Sequence, residues 1–236
     1  MISKRNLIFS LFLLTSIAFF SQSDRVEYLP SFDKNKIHYG FYLGVNQNDF
    51  KVSLKDVPTV PNANITVEPT AGFNVGLIAD LRLHKNLSLR FEPGLMTNAK
   101  KIYFNHLALP KDSVRDVSST YLHVPILLKF STDRYKNIRP YLLAGVSYNY
   151  NFSSSEANQD DNFASQFRMK TSNFMYEVGV GIDIYLYFFK FSPSIRGIFA
   201  LNNEIKYDNP ANGTSQWTAP VNYMGTRGVF LTFAFE

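Results

Sequence analysis

Nine charged side chains fall on one face of segments that otherwise alternate like β-strands: Asp80, Arg82, Arg90, Glu92, Lys129, Glu177, Asp183, Lys190 and Arg196. Both charge signs on a shared face suit an ion-paired layer, because an ion buried without a partner costs several kcal/mol. Glycines on the same face, among them Gly40, Gly44, Gly76, Gly179 and Gly181, leave room for the long side chains. The histidines His38, His84, His106 and His123 have no metal-ligand spacing. His84 reads as a turn residue, and His38 and His123 as inward hydrogen-bond partners. His123 and Glu177 fall toward the same end of their segments, which raises a Ser–His–acid lipid hydrolase as an alternative. No serine is singled out to complete it. Gly179-Val180-Gly181 lies inside continuing alternation with no helix after it, so it is a packing feature and not a nucleotide loop. The acidic run 156–162 reads as a solvated loop before a Ca²⁺ site. No catalytic residue, cofactor or metal site is assigned.

The elements that must position these charges are eight strand candidates: 37–46, 70–83, 87–96, 120–130, 140–152, 174–186, 189–200 and 228–235. In the first, Ile37, Tyr39, Phe41, Leu43 and Val45 alternate with His38, Gly40, Tyr42, Gly44 and Asn46. A strand points successive side chains to opposite faces, so one face is apolar and the other small or polar. The connections alternate in length. Short ones follow the second, fourth and sixth strands, and long ones occupy 47–69, 97–119, 153–173 and 202–226. That pattern predicts an all-β, eight-stranded antiparallel transmembrane barrel with extracellular loops and periplasmic turns. Eight strands leave a lumen just wide enough for side chains to fill it. A soluble lipocalin-like barrel would put apolar residues inside and polar ones outside; a soluble sheet could solvate the charges named above, but its apolar face would need a partner large enough to cover eight strands. Aromatics gather at both ends of the strands: Tyr150, Phe152, Phe174 and Tyr176 at one, Phe130, Phe189, Phe191, Phe233 and Phe235 at the other. Amphipathic rings suit the two membrane–water interfaces.

Targeting agrees with export. Lys4 and Arg5 precede an apolar run over 7–20. At about 14 residues it is short of the ~18–20 that span a bilayer as a helix, which is the pattern of a secretory signal peptide over 1–21. The expected mature chain has a periplasmic segment, 22–36, and a barrel, 37–236. Losing Lys4 and Arg5 leaves 22 basic against 19 acidic residues, so the net charge falls from +5 to +3. The basic balance therefore supports no nucleic-acid partner. Cysteine is absent, which excludes disulfides and thiolate metal sites.

Several stretches carry a family resemblance. Residues 33–46 (DKNKIHYGFYLGVN), 81–95 (LRLHKNLSLRFEPGL), 121–130 (YLHVPILLKF), 137–146 (NIRPYLLAGV), 167–186 (FRMKTSNFMYEVGVGIDIYL), 189–199 (FKFSPSIRGIF) and 226–236 (TRGVFLTFAFE) resemble the PorT family of outer-membrane barrels, called SprT in gliding bacteria. The spacing of Tyr121, Pro125 and Lys129 is shared with a broad superfamily of small bacterial barrels. His123 stands where that superfamily often has an acid. The resemblance implies a non-enzymatic component of the type IX secretion system, which exports proteins bearing a C-terminal signal and supports gliding motility. It implies contacts with outer-membrane lipid and with other subunits of that system; because a narrow, filled barrel cannot pass a folded protein, the expected contact surfaces are loops 47–69, 153–173 and 202–222 and the segment 23–36. The expected location is the outer membrane with both termini periplasmic. A generic small porin or surface-binding barrel is the alternative. No small-molecule substrate is identified.

Overall fold

The structure is a computed structural model that describes residues 26–56, 60–157, 167–209 and 215–236. The expected signal segment 1–21 lies outside the described residues, as does 158–162 of the acidic run. Ten strand segments follow a short 3-10 turn, Phe32–Lys34. They are β1 Ile37–Leu54, β2 Ile65–Pro69, β3 Ala71–His84, β4 Leu87–Phe91, β5 Gly94–Phe104, β6 Val114–Ser131, β7 Ile138–Asn151, β8 Ser172–Tyr185, β9 Lys190–Ala200 and β10 Val221–Phe235. One helical turn, Pro110–Ser113, joins β5 to β6.

All pairings between these strands are antiparallel, and they close into a ring of eight. β1 pairs β10 through Phe41↔Phe235 and β3 through Tyr39↔Ala79, so neither of its edges is free in the barrel. From β10 the ring passes through β9, β8, β7 and β6 to the β4–β5 pair, and from there to β3. Ten segments stand where eight strands were expected because a proline splits the expected strand 87–96 and because β2 forms inside the expected loop 47–69. Pro93 separates β4 from β5, and Pro69 ends β2 just before β3. Proline has no N–H to give a ladder. The carbonyl of Pro93 still accepts from Leu77 N at 3.0 Å, so the ring stays closed across the break.

Side-chain exposure alternates as a lipid-facing wall requires. Leu77, Val180 and Leu142 are well exposed outward, while Arg90, Glu177 and Arg196 inside are only 1% exposed. Several strands run past the barrel. A membrane crossing takes about 9–11 residues, whereas β1 and β6 each have 18. Parts of 47–69 and 97–119, expected as loops, are therefore strand. In these extensions the alternation inverts. Outward positions on β1 become polar at Gln47, Asp49 and Lys51, while inward Phe50 is buried and Val52 packs against it. Ile102 and Phe104 on β5 and Val117 on β6 turn inward in the same way. Lipid outside favours apolar-out; water outside favours apolar-in.

Candidate functional site: a charged lumen closed at both ends

The inward face of β3, β4, β6, β8 and β9, with Glu92 from the break between β4 and β5, brings eight of the nine predicted charges into one buried layer. Arg90 donates from Nε to Glu92 Oε1 at 2.5 Å, and its Nη1 lies 3.6 Å from Asp80 Oδ2. Arg196 Nη1 reaches Glu92 Oε2 at 2.8 Å and Glu177 Oε2 at 3.3 Å. Lys129 Nζ donates to both oxygens of Asp183 at 2.8 and 2.7 Å, and Ser192 Oγ donates to Oδ1 at 2.6 Å. Lys190 has its hydrogen-bonded partner outside the predicted set of charges. Its Nζ donates to Glu236 Oε2 at 2.8 Å, and the other oxygen of Glu236 lies 3.0 Å from Arg90 Nη2. The lysine pairs and Arg90–Glu92 are aligned hydrogen bonds. Arg196 meets its two acids as a charge, with no aligned N–H.

Arg82 stands apart. It is half-buried at the end of β3, its guanidinium donates to the Lys85 carbonyl at 3.4 Å, and it makes no ion pair among the described residues. The reason is position: it lies beyond Asp80 toward the short-turn end, where the lumen opens. Glu236 is an acid of the layer that the sequence reading did not include. Its sequence signal was its phase, two residues beyond inward Ala234 and four beyond Thr232, both buried.

Glycine spacing decides where the long side chains fit. A Cβ on Gly179 would lie 2.5 Å from Arg196 Cγ and 2.6 Å from the Ile195 carbonyl. His123 and Glu177 do meet, Nε2 to Oε1 at 3.1 Å, while Nδ1 lies 2.6 Å from Asn149 Oδ1. The pair is sealed inside, and Arg196 occupies the other carboxylate oxygen. His38 stacks on Phe32 at 4.1 Å, and His106 Nε2 lies 3.1 Å from the Gln216 carbonyl. Among the described residues, no group of three or more His, Asp or Glu could hold a metal ion.

At the short-turn end, the segment from Val26 to Lys36 folds across the mouth. Asp33 accepts from Tyr185 Oη at 2.9 Å and Arg139 Nη1 at 3.2 Å, and lies 3.5 Å from Arg134 Nη1. Asn137 receives Tyr28 N at 2.9 Å and donates to the Val26 carbonyl at 2.9 Å. Arg134 also donates to the Tyr28 carbonyl and lies over the Tyr185 ring at 3.7 Å. The space left beneath is about 20 Å³, room for about one water.

At the long-connection end, the inverted faces meet the connections. Phe50, Ile102, Phe104, Val221 and Met224 pack with Met169 and Ile205 into an apolar plug. Beneath it, Lys100 Nζ donates to Thr226 Oγ1 at 3.2 Å and lies 3.5 Å above the Phe50 ring. Glu204, in the connection before β10, accepts from Thr226 N at 2.8 Å and Oγ1 at 2.9 Å. Burial pushes the Glu204 carboxyl above the usual carboxylate range, against the opposing pull of Lys100. Buried asparagines, including Asn46, Asn48 and Asn74, occupy the lumen near this end. Neither the plug nor this polar layer was read from the sequence, because both lie partly in segments expected as loops.

A closed antiparallel wall, apolar outside and ionic inside, defines the class: a small outer-membrane-type β-barrel. Residues 20–206 match the model of the outer membrane protein beta-barrel domain, and the chain belongs to that family. No curated protein matches it. Among solved structures it is similar to the outer membrane protein OprG of Pseudomonas aeruginosa, at 14% identity over 84% of this chain and 93% of that one, TM-score 0.46. It is also similar to Neisserial surface protein A (NspA), at 13% over 82% and 95%, TM-score 0.42. The outer membrane protein AlkL, solved in lipid bilayers, gives 14% over 91% and 93%, TM-score 0.43.

Proposed function

We propose that this barrel is a non-catalytic component of the type IX secretion system, of the PorT type, acting through its surfaces and not through its lumen. One observation carries the reading: the lumen is filled by ion pairs and stopped at both ends, so transport through it is disfavoured and the outer surfaces remain to act. The PorT-like words quoted above supply the particular system. In this reading the short-turn end faces the periplasm, where 26–36 and the turn at Tyr187 and Phe188, both well exposed, meet partner subunits. The strand extensions and the connections around them face outward. Their inner faces are committed to the plug, so partner contact falls to outward residues such as Tyr103 and Asp116.

The test is deletion of the gene, followed by assays of secreted cargo, colony spreading, small-solute uptake and lipid A composition. The reading expects secretion and spreading to fail while solute uptake holds. Normal secretion with altered uptake would overturn it. A surface-binding barrel is the second reading, favoured by the length of β1 and β6 beyond a membrane crossing. Under it, secretion stays normal and surface attachment is lost.

A further inference from the structure

Among the described residues, two outer-wall concavities stand out by size. The larger, about 580 Å³ between β7, β8 and β9, has no charged residue in its lining and nothing to choose between one lipid tail and another. The second, about 380 Å³, is different. It lies across β1, β9 and β10 where the outward face changes from apolar to polar, with Gln47, Pro69, Gly197, Phe199, Val229 and Arg227 around it. On β1 that change runs Val45, Gln47, Asp49, Lys51, and on β10 it runs Leu231, Val229, Arg227, with Asp49 opposite Arg227.

Both halves of this groove are built. In the apolar half the Phe199 ring lies against Gly197, 3.1 Å from where a Cβ would sit, and is fixed by stacking on Tyr176 at 5.0 Å. The polar half is oriented by Asp49. Its Oδ1 accepts from the Phe50 amide at 2.7 Å, and its Oδ2 accepts from Arg227 Nη2 at 2.8 Å and Nε at 3.2 Å. The Arg227 side chain stays 54% exposed, and its Nη1 edge is unengaged among the described residues. Lys51 is the next outward residue on β1, diagonal to Arg227 and on the order of 7–8 Å from it. It is exposed and makes no ion pair among the described residues.

An apolar trough with the Asp49-held Arg227 on its water-side rim, and Lys51 one outward position further along β1, complements an amphiphile whose head is anionic. Charge-assisted contacts from a guanidinium suit a tetrahedral, multiply charged oxyanion. We propose that this shoulder of the barrel binds one phosphorylated membrane lipid, with its phosphate on Arg227 and Lys51 and an acyl chain over Gly197 and Val229. The site does not depend on the secretion reading, and a failed secretion assay leaves it standing.

The experiment uses the full mature chain in detergent, with native mass spectrometry of added dioleoyl phosphatidic acid and, as the phosphate-free probe, dioleoylglycerol. The expected result is phosphatidate retained about tenfold more tightly than diacylglycerol. R227Q with K51Q should bring phosphatidate down to the diacylglycerol level. G197V, which fills the trough, should weaken both lipids, and K136Q at the opposite end should change neither. Heat-modified gel migration checks that each variant is folded. Equal retention of the two lipids would overturn the site, as would phosphatidate binding that survives R227Q/K51Q. Equal loss in K136Q would reveal mere bulk attraction, and displacement by excess inorganic phosphate a site for the free ion; either result overturns the proposal.

Discussion

Arg196 sits between Glu92 and Glu177 at 2.8 and 3.3 Å, with all three side chains nearly inaccessible. Removing the cation leaves two carboxylates close together in a low-dielectric interior. R196M is expected to cost about 3–5 kcal/mol of unfolding free energy, because an uncompensated buried charge is left behind. Urea unfolding of the detergent-solubilised barrel measures it. Adding E92Q and E177Q should recover much of the loss, since the repulsion goes with the charges. If R196M unfolds at the wild-type midpoint, the layer contributes no stability. Charges on the inward face were legible at this scale, because strand phase alone assigns a face. Their pairing was not. Arg82 has the correct phase but lies too near the mouth, and Lys190 finds Glu236 where the sequence reading had offered only acids further inside. Phase fixes a side chain's direction, while height in the lumen depends on strand register and tilt.

At the scale of elements, the inversion of the alternation decides how much of the chain was readable. Within the membrane, outward apolar residues repeat with period two and the strands stand out. Past Val45 the apolar residues continue at Phe50 and Val52, in the opposite phase. A reader following one phase sees the strand end at Asn46, where β1 runs to Leu54. The missing element was written in the same residues with its faces exchanged. Single-cysteine labels test this. At Leu77, Val180 and Leu231 a label should be shielded from water-soluble reagents in bilayers and quenched by brominated acyl chains. At Lys51 and Ser53 it should react freely. Free wetting at the first three positions would remove the lipid-facing wall. The plug made by the inverted faces also carries a pH signature. The Glu204 carboxyl is raised by burial, so the folded state holds its proton more tightly than the unfolded chain does. Its contribution is fully present below the unfolded carboxylate pKa of about 4.3, and it fades as pH rises through the folded value. Hydrogen exchange at the Thr226 amide, corrected for its intrinsic pH dependence, should show protection falling across that window. E204Q should flatten the slope. A slope unchanged in E204Q would assign the titration to another group.

For the whole molecule, closure is redundant, and this governs what a channel experiment will see. Three barriers lie in series: the strap tied down by Asp33, Arg134 and Asn137; the ionic layer from Asp80 to Arg196; and the apolar plug around Phe50 and Ile102. In a series path the tightest barrier sets the current, so removing one leaves the others in control. Deleting residues 26–35 exposes Lys190 and Asp183 to water and leaves the Arg90–Glu92–Arg196 bridge across the lumen. F50A cavitates the plug at a cost of about 3–5 kcal/mol and leaves the same bridge. Each change alone should therefore give planar bilayers no steady, large conductance, and the intact chain should give none. The deletion combined with F50A, R90A and R196A breaches each barrier at one point, and it is the combination expected to conduct if the wall survives the loss of its ion pairs. Steady conductance from the intact chain would mean that the lumen opens in the bilayer. In that case function would have to be sought along the barrel axis instead of on its outer faces.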